Sequence, residues 1–304
     1  MSAPLVVLAG PTAVGKTGLS LELAKRFGAE IVGADSVQVY RGLDIGSAKP
    51  TPQEQAQARH HLIDVADPAE NFSAARYARL AAEAIDDISA RGKRALVVGG
   101  TGLYIKALIF GLAPTPPVDQ ALRARLKVEW EHQGPQAMHQ RLAGLDPDTA
   151  AKLHPNDRQR VLRALEVCLQ TGTPVSRRQE AHGFASPRYP HLMIGLERPR
   201  EELNQRIEER ARAMWNEGLL EEVEKLLAAG VSPEAPGLAT LGYRQAVAFL
   251  RGEMQSEDAL FDMIKKTKAY AKRQLTWFRG VRGLVWHHAD DSLGIGRRVS
   301  AFWS

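Results

Sequence analysis

One octapeptide constrains this chain more than any other feature. Gly10-Pro11-Thr12-Ala13-Val14-Gly15-Lys16-Thr17 fits the pattern G-x-x-x-x-G-K-[ST]. Such a loop works between a buried strand and the helix that follows it, and both flanks are present. Leu5-Val6-Val7-Leu8-Ala9 is a short apolar run, and Lys16 to Phe27 is amphipathic. Glycines let the backbone wrap an anion, while loop amides and the helix N-terminus point at its oxygens. Lys16 supplies a point charge, and the Thr17 hydroxyl suits Mg2+. All eight residues from Gly10 to Thr17 are therefore candidate phosphate or diphosphate ligands. The loop does not specify a nucleotide.

The rest of the chain alternates strand and helix signals. Ile31 to Gly33, Ala95 to Val98, His191 to Leu196 and 284–287 have strand character. Helical periods run over Ala74 to Ala90 behind a Ser73 cap, Arg200 to Asn216, Leu219 to Ala229, Gln245 to Leu250 and about Asp258 to Phe278. Alternation of this kind predicts an α/β fold, a P-loop-type parallel sheet flanked by helices. Pro114-Thr115-Pro116-Pro117 interrupts it. From Asp119 to about Glu180 only helical periods are visible: one capped by Asp119 and ended by Gly134, one opened by Asp146-Pro147, one opened by Asn156 or Asp157 and ended by Gly172. This predicts a core domain of residues 1–117 and 186–304 and an all-helical insertion of residues 118–185. The tail after Asp290 carries no signal.

Composition narrows the partners. The single cysteine, Cys168, lies in an apolar helical run and reads as a small buried hydrophobe, so no intrachain disulfide exists. The first residues lack a charged n-region and a long apolar h-region, and no apolar run approaches the roughly 18 residues of a membrane span. A cytoplasmic protein with no membrane partner is expected. Formal net charge is +5, which permits an anionic partner. Its placement says more. Lys265 to Arg282 holds seven basic residues and no acidic one, with Tyr270, Trp277 and Phe278 interleaved. Such a stripe, Lys272 and Arg273 included, suits RNA, whose backbone tracks basic side chains and whose unpaired bases stack on aromatics. The bland alternative is solvated lysines over core aromatics. Between Asp119 and Pro190 eleven basic residues face eight acidic ones, a small excess that makes the insertion a plausible second RNA module.

Two residues move the reading away from a nucleotide enzyme. Ligands of open α/β sheets sit at the carboxyl ends of strands, where Asp35 follows the second strand and Gly99-Gly100-Thr101-Gly102 follows the third. A typical NTPase places a Walker-B aspartate where Gly99 stands. Asp35 could bind metal or act as a general base, and the Thr101 hydroxyl should face the phosphate site. The pairs His60-His61 and His287-His288 have no partners at metal-ligand spacing, so no zinc site is expected.

At this point the sequence closely resembles the tRNA dimethylallyltransferases of bacterial type. The matching blocks are Gly10–Thr17, Asp35–Tyr40, Asp44–Pro50, Gly99–Tyr104, His154-Pro155-Asn156-Asp157 with Arg160 and Arg163–Glu166, Gly242–Gln245, and Lys272-Arg273-Gln274 with Trp277. They span nearly the whole chain. The resemblance implies that the loop holds the diphosphate of dimethylallyl diphosphate, with Mg2+. It implies that the acceptor is the exocyclic amine of the adenosine 3′ of the tRNA anticodon, in the anticodon stem-loop. Asp35, Thr101 and Lys16 become the catalytic set, with Asp35 as proton acceptor and Thr101 near the bridging oxygen of the leaving group. The adenine must be flipped out of its stack to react, and Ser36, Val37 and Gln38 are placed to line its pocket. Arg206 and Arg210, four apart on one helix face, could reach the diphosphate. Arg123, the run Gln159, Arg160, Val161, Leu162, Arg163, and the run Ala239, Thr240, Leu241, Gly242, Tyr243, Arg244 are implied RNA contacts. A monomer is expected. Two rival readings stand beside this one. A small-molecule kinase shares the loop and Asp35 but leaves the Thr101 strand end unexplained. A non-catalytic RNA-binding module would lose no activity on Lys16→Ala or Asp35→Ala.

Overall fold

Six short strands, apolar at the centre, make one sheet in a computed structural model that describes residues 3–183 and 186–304. They are β1 (Leu5–Ala9), β2 (Ala29–Gly33), β3 (His60–His61), β4 (Arg94–Gly99), β5 (His191–Glu197) and β6 (Val285–His288). The first two are buried along their whole length, as strands covered on both faces must be. The order is β3-β2-β4-β1-β5-β6, and every neighbouring pair is parallel. All carboxyl ends therefore fall on one edge, and the segments that follow them share one rim.

The described residues divide into two compact units, one built from the segments up to Ile109 and from Arg188, the other from Phe110–Pro187. The expected insertion end at residue 185 lies outside the described residues. In the first unit α1 (Lys16–Phe27) leaves the phosphate loop directly and stops at Gly28. It is followed by α2 (Pro52–Gln55), α3 (Ala74–Ala90) and α4 (Gly102–Phe110). Ser73 caps α3 as expected, its hydroxyl accepting from the Arg76 N–H. In the second unit lie α5 (Gln120–Leu145), α6 (Pro147–Ala150), α7 (Arg158–Thr171) and α8 (Val175–His182). Asp119 caps α5, and Gly134, at φ 79°, breaks it; Pro135 restarts a stretch to Leu145 that the sequence reading lacks. Leu126, Trp130, Met138, Leu142 and Leu165 form this unit's core, with Cys168 among them. Asp146 is fully buried and is satisfied by the N–H and hydroxyl groups of Thr149 and Ser176.

The chain returns to the first unit with α9 (Arg200–Asn216), α10 (Leu219–Ala228), α11 (Tyr243–Leu250), α12 (Ser256–Arg279) and α13 (Ser292–Trp303). Helices α9 to α12 pack around Val39, Leu43, Tyr243 and Met263, while α1 and α13 cover the sheet through Leu23, Ile295 and Trp303. Sequence reading missed α13 because two glycines and two arginines blur its period. It missed β3 because two residues carry no period. Among the described residues no helix is long and apolar enough to cross a membrane.

Candidate active site at the strand ends

The phosphate loop turns its amides inward, so its carbonyls point outward and need donors. Gly15 adopts φ 109°, a conformation that favours glycine, and Ala13 takes φ 64°. The carbonyls are met from the β5–α9 side. Arg198 Nε donates to Val14 O at 2.9 Å, Arg206 Nε to Ala13 O at 3.0 Å, and Arg210 to the Thr12 hydroxyl. Arg198 is itself held by Glu202 and Asp290. The four-residue spacing of Arg206 and Arg210 thus does bring both to the loop. Lys16 folds back, donating to Gly10 O at 3.0 Å and Pro11 O at 2.7 Å. Burial pulls its ammonium down to about 8; Asp35 opposes that shift and Arg210 adds to it. Arg210 is lowered as well, mainly by burial.

Asp35 follows β2. Its Oδ1 accepts from the Val37 N–H at 2.8 Å and the Gln38 N–H at 3.3 Å, leaving Oδ2 with no hydrogen-bond donor among the described residues. Thr101 follows β4, and its hydroxyl accepts from the Ser36 N–H at 3.1 Å. That bond locks the ends of β2 and β4 together. Tyr270 on α12 lies beside them, and burial, reinforced by Asp35, pushes its phenol up to about 12.

Two cavities open at this rim. The larger, about 1080 Å³, is lined by the loop from Thr12 to Gly18 and by Arg206, Arg210 and Lys49. The smaller, about 490 Å³, is lined by Ser36, Val37, Thr240, Leu241, Arg244 and Arg273. Thr12, Asp35, Ser47, Arg210 and Tyr270 line both. At its loop end the first cavity is an anion cradle, where Lys16, Arg206 and Arg210 meet the loop, while Asp44, Glu54, Asp64 and Glu209 line its far side; the other has apolar walls and a basic rim, and Asp35 stands at their junction. Thr101 lines neither; its hydroxyl is turned to Ser36.

The wall between 44 and 50 is pinned from below. Glu222 accepts the backbone N–H groups of Asp44, Ile45 and Gly46 and the Tyr243 hydroxyl. Buried Lys49 bridges Asp44, Asp64 and the Tyr40 carbonyl. Gln38 donates to the Ser47 and Ala48 carbonyls at 3.2 and 2.9 Å. Its amide donors are therefore spent on this wall and it lines the larger cavity, which corrects the expectation that Gln38 lines the adenine pocket with Ser36 and Val37.

Other expected RNA contacts need the same correction. Val161, Leu162 and Tyr243 are buried, so their side chains are core. Arg123 grips Glu166 with two bonds of 2.6 and 2.8 Å, and Arg163 adds a third at 3.0 Å. Glu166 is only 2% exposed, so both arginines neutralise a buried carboxylate instead of presenting free charge. Gln159, Arg160, Ala239 and Arg244 are exposed, and Gly242 turns the chain into α11 at φ 93°. On α12, Lys266 pairs with Asp262 and Lys268 with Glu208. Lys272 and Arg273 are exposed and have no carboxylate in ion-pair range among the described residues. Trp277 is 40% exposed, and Phe278 is core.

Sequence reading assigned nothing to Arg198 or Glu222, read Tyr270 only as an aromatic of the basic stripe, and gave Gln274 no role beyond its place in a matching block. For Gln274 a signal existed: it interrupts the buried stripe Met263, Ile264, Ala271, Phe278 of α12, and a polar residue on such a stripe demands a partner. Arg198 and Glu222 act on backbone groups that no sequence pattern announces. As for metal, no cluster of three His, Cys, Asp or Glu side chains occurs among the described residues. The Thr17 hydroxyl lines the larger cavity, a donor set that fits a hydrated Mg2+ held chiefly by phosphate oxygens.

Similarity to known proteins points the same way. The family model described as IPP transferase matches residues 38–281. A tRNA dimethylallyltransferase of Geobacter sulfurreducens is 49% identical over 93% of this chain and 91% of its own length. Another, from Anaeromyxobacter dehalogenans, is 49% identical over 97% and 98%. The crystal structure of the full-length tRNA isopentenylpyrophosphate transferase of Bacillus halodurans superposes with a TM-score of 0.73 at 37% identity, covering 100% of this chain and 97% of that one. A eukaryotic dimethylallyltransferase acting on tRNA superposes at 0.79 with 29% identity, covering 99% and 77%.

Proposed function

This chain belongs to the IPP transferase family, and from that premise we propose that it transfers a dimethylallyl group from dimethylallyl diphosphate to a tRNA adenosine, the one 3′ of the anticodon. The observation that carries the reading is that Asp35 lines both cavities. The diphosphate occupies the larger one, on the loop amides, Lys16, Arg206 and Arg210. The flipped adenine occupies the smaller one, between Val37 and Leu241. Thr17 would hold Mg2+, which when bound would neutralise charge on the diphosphate oxygens.

In the reaction the exocyclic nitrogen of adenine bonds to the first carbon of the prenyl group, the carbon–oxygen bond to diphosphate breaks, and the nitrogen loses a proton. Asp35 Oδ2 is positioned to take that proton, because Oδ1 is fixed by two backbone amides. Lys16, Arg206, Arg210 and the loop hold the charge of the leaving diphosphate; one preorganised donor of this kind is worth ~10²–10³ in rate. Thr101 acts by locking the two strand ends, its hydroxyl held to the Ser36 N–H. The exposed Gln159, Arg160, Ala239, Arg244, Lys272 and Arg273 contact the anticodon stem-loop. A tRNA substrate supports a cytoplasmic protein. The relatives are transferases acting on tRNA, so the kinase reading gains no support from them.

Incubation with dimethylallyl diphosphate, Mg2+ and tRNA, then nucleoside mass analysis, should show one added prenyl unit on adenosine; no transfer from any prenyl diphosphate sinks the proposal. Asp35→Asn should lower transfer by about 10²–10⁴ and leave tRNA affinity within about twofold. Equal loss of both would make Asp35 a binding residue.

A further inference from the structure

Gln274 sits on α12, only 6% exposed, with its carboxamide between two segments of the site. Its Oε1 accepts from the Thr12 N–H at 2.9 Å, and its Nε2 donates to the Gly100 carbonyl at 2.9 Å. One amide thus spans the phosphate loop and the strand end that carries Thr101. A second observation is independent of these bonds. A Cβ on Gly100 would lie 2.2 Å from Gln274 Nε2. Gly100 has no left-handed φ to justify it; it is glycine because the amide fills the space a side chain would take. The site is built around this residue, yet Gln274 lines only the cradle and touches no reacting atom in the arrangement described above.

We propose that Gln274 is a positioning residue that sets the distance between the diphosphate cradle and the Thr101–Asp35 side of the reaction centre. The argument is geometric. The Thr12 N–H is taken by Gln274, so the cradle binds diphosphate with the amides and cations that remain. Thr101 in turn holds Ser36 beside Asp35. Removing the amide frees the two segments to move apart, and a displacement of about 1 Å at a reacting centre costs on the order of 10² in rate. It does not remove a cation or an inward amide from the diphosphate. The inference rests on the transfer reaction proposed above, and wild-type transfer is measured first, so failure of that reading is seen separately.

The variants are Gln274→Leu, which abolishes both bonds, and Gln274→Glu, whose carboxylate keeps the acceptor and loses the donor. We expect Gln274→Leu to lower kcat by roughly 10²-fold, while the Kd for inorganic pyrophosphate and for tRNA stays within about threefold of wild type. A merely structural defect would lower the active fraction and every binding signal together. For Gln274→Glu, kcat relative to wild type should rise as pH falls from 8 to 6. A buried carboxyl has a raised pKa, and its protonated form regains a donor for the Gly100 carbonyl. Should kcat stay within twofold of wild type in both variants, Gln274 positions nothing. Proportionate loss of kcat, pyrophosphate binding and folded protein, with no recovery of Gln274→Glu at low pH, likewise overturns the proposal.

Discussion

Lys16 donates to two carbonyls of its own loop in a buried setting that pulls its ammonium down to about 8. Diphosphate needs the charged form. Affinity is therefore fully developed below that pH and falls as pH rises through it, by up to tenfold per unit, because binding must then import a proton. Calorimetry with inorganic pyrophosphate in two buffers of different ionisation enthalpy should show proton uptake between pH 8 and 9 that Lys16→Met abolishes. Uptake identical in both proteins would mean that another group titrates. At this scale the sequence was informative for residues inside motifs. The loop, Asp35 and Arg210 are where their spacing put them. It misread side chains whose partners come from afar: Arg123 and Arg163 read as free charge until Glu166 is seen beneath them, and Gln38 read as lining the adenine pocket until the 44–50 wall claims its donors.

Helix α12 shows what an element adds. One face sends Tyr270, Gln274 and Trp277 toward Thr101, Gly100 and Gly102, while Lys272 and Arg273 project to solvent. The helix proposed to present charge to RNA is the one bonded to the phosphate loop. Reversing both charges, with Lys272→Glu and Arg273→Glu together, should weaken tRNA binding and make the salt slope shallower by roughly 2. Pyrophosphate affinity should be unchanged. A slope equal to wild type would take α12 off the RNA surface. The basic face was legible from composition, since six basic residues and no acidic one from Lys265 to the end of the helix have few other uses. The inner face was not, because the glycines that receive it lie about 170 residues earlier in the chain.

Among the described residues each unit buries apolar clusters of its own. The sheet unit buries Leu8, Leu23 and Ile194, and the helical unit buries Leu126, Trp130 and Leu165. Both the loop and Asp35 belong to the first. Leu165→Ala, a cavity change costing ~2–5 kcal/mol, should lower the melting of the helical unit, with pyrophosphate affinity within twofold of wild type. Calorimetry should then resolve two transitions, with pyrophosphate raising only the upper one. A single transition raised as a whole by pyrophosphate would show that the units melt as one. The parallel sheet was legible because buried runs alternating with amphipathic ones allow few other folds. Strand order was not, because pairing depends on partners that a strand's own residues do not name.

The glycines of the β4 turn have a genetic consequence. A Cβ on Gly99 would meet the Ala34 backbone oxygen at 2.1 Å, one on Gly100 the Gln274 amide, and one on Gly102 the Trp277 indole. The first neighbour is main chain; at Gly100 the Gly10 carbonyl oxygen stands farther off, at 3.2 Å, behind the amide. A lesion at 102 can revert at a distance, through a smaller residue at 277, and one at 100 through 274 at the expense of the bridging amide. A lesion at 99 has no such suppressor and reverts only to glycine.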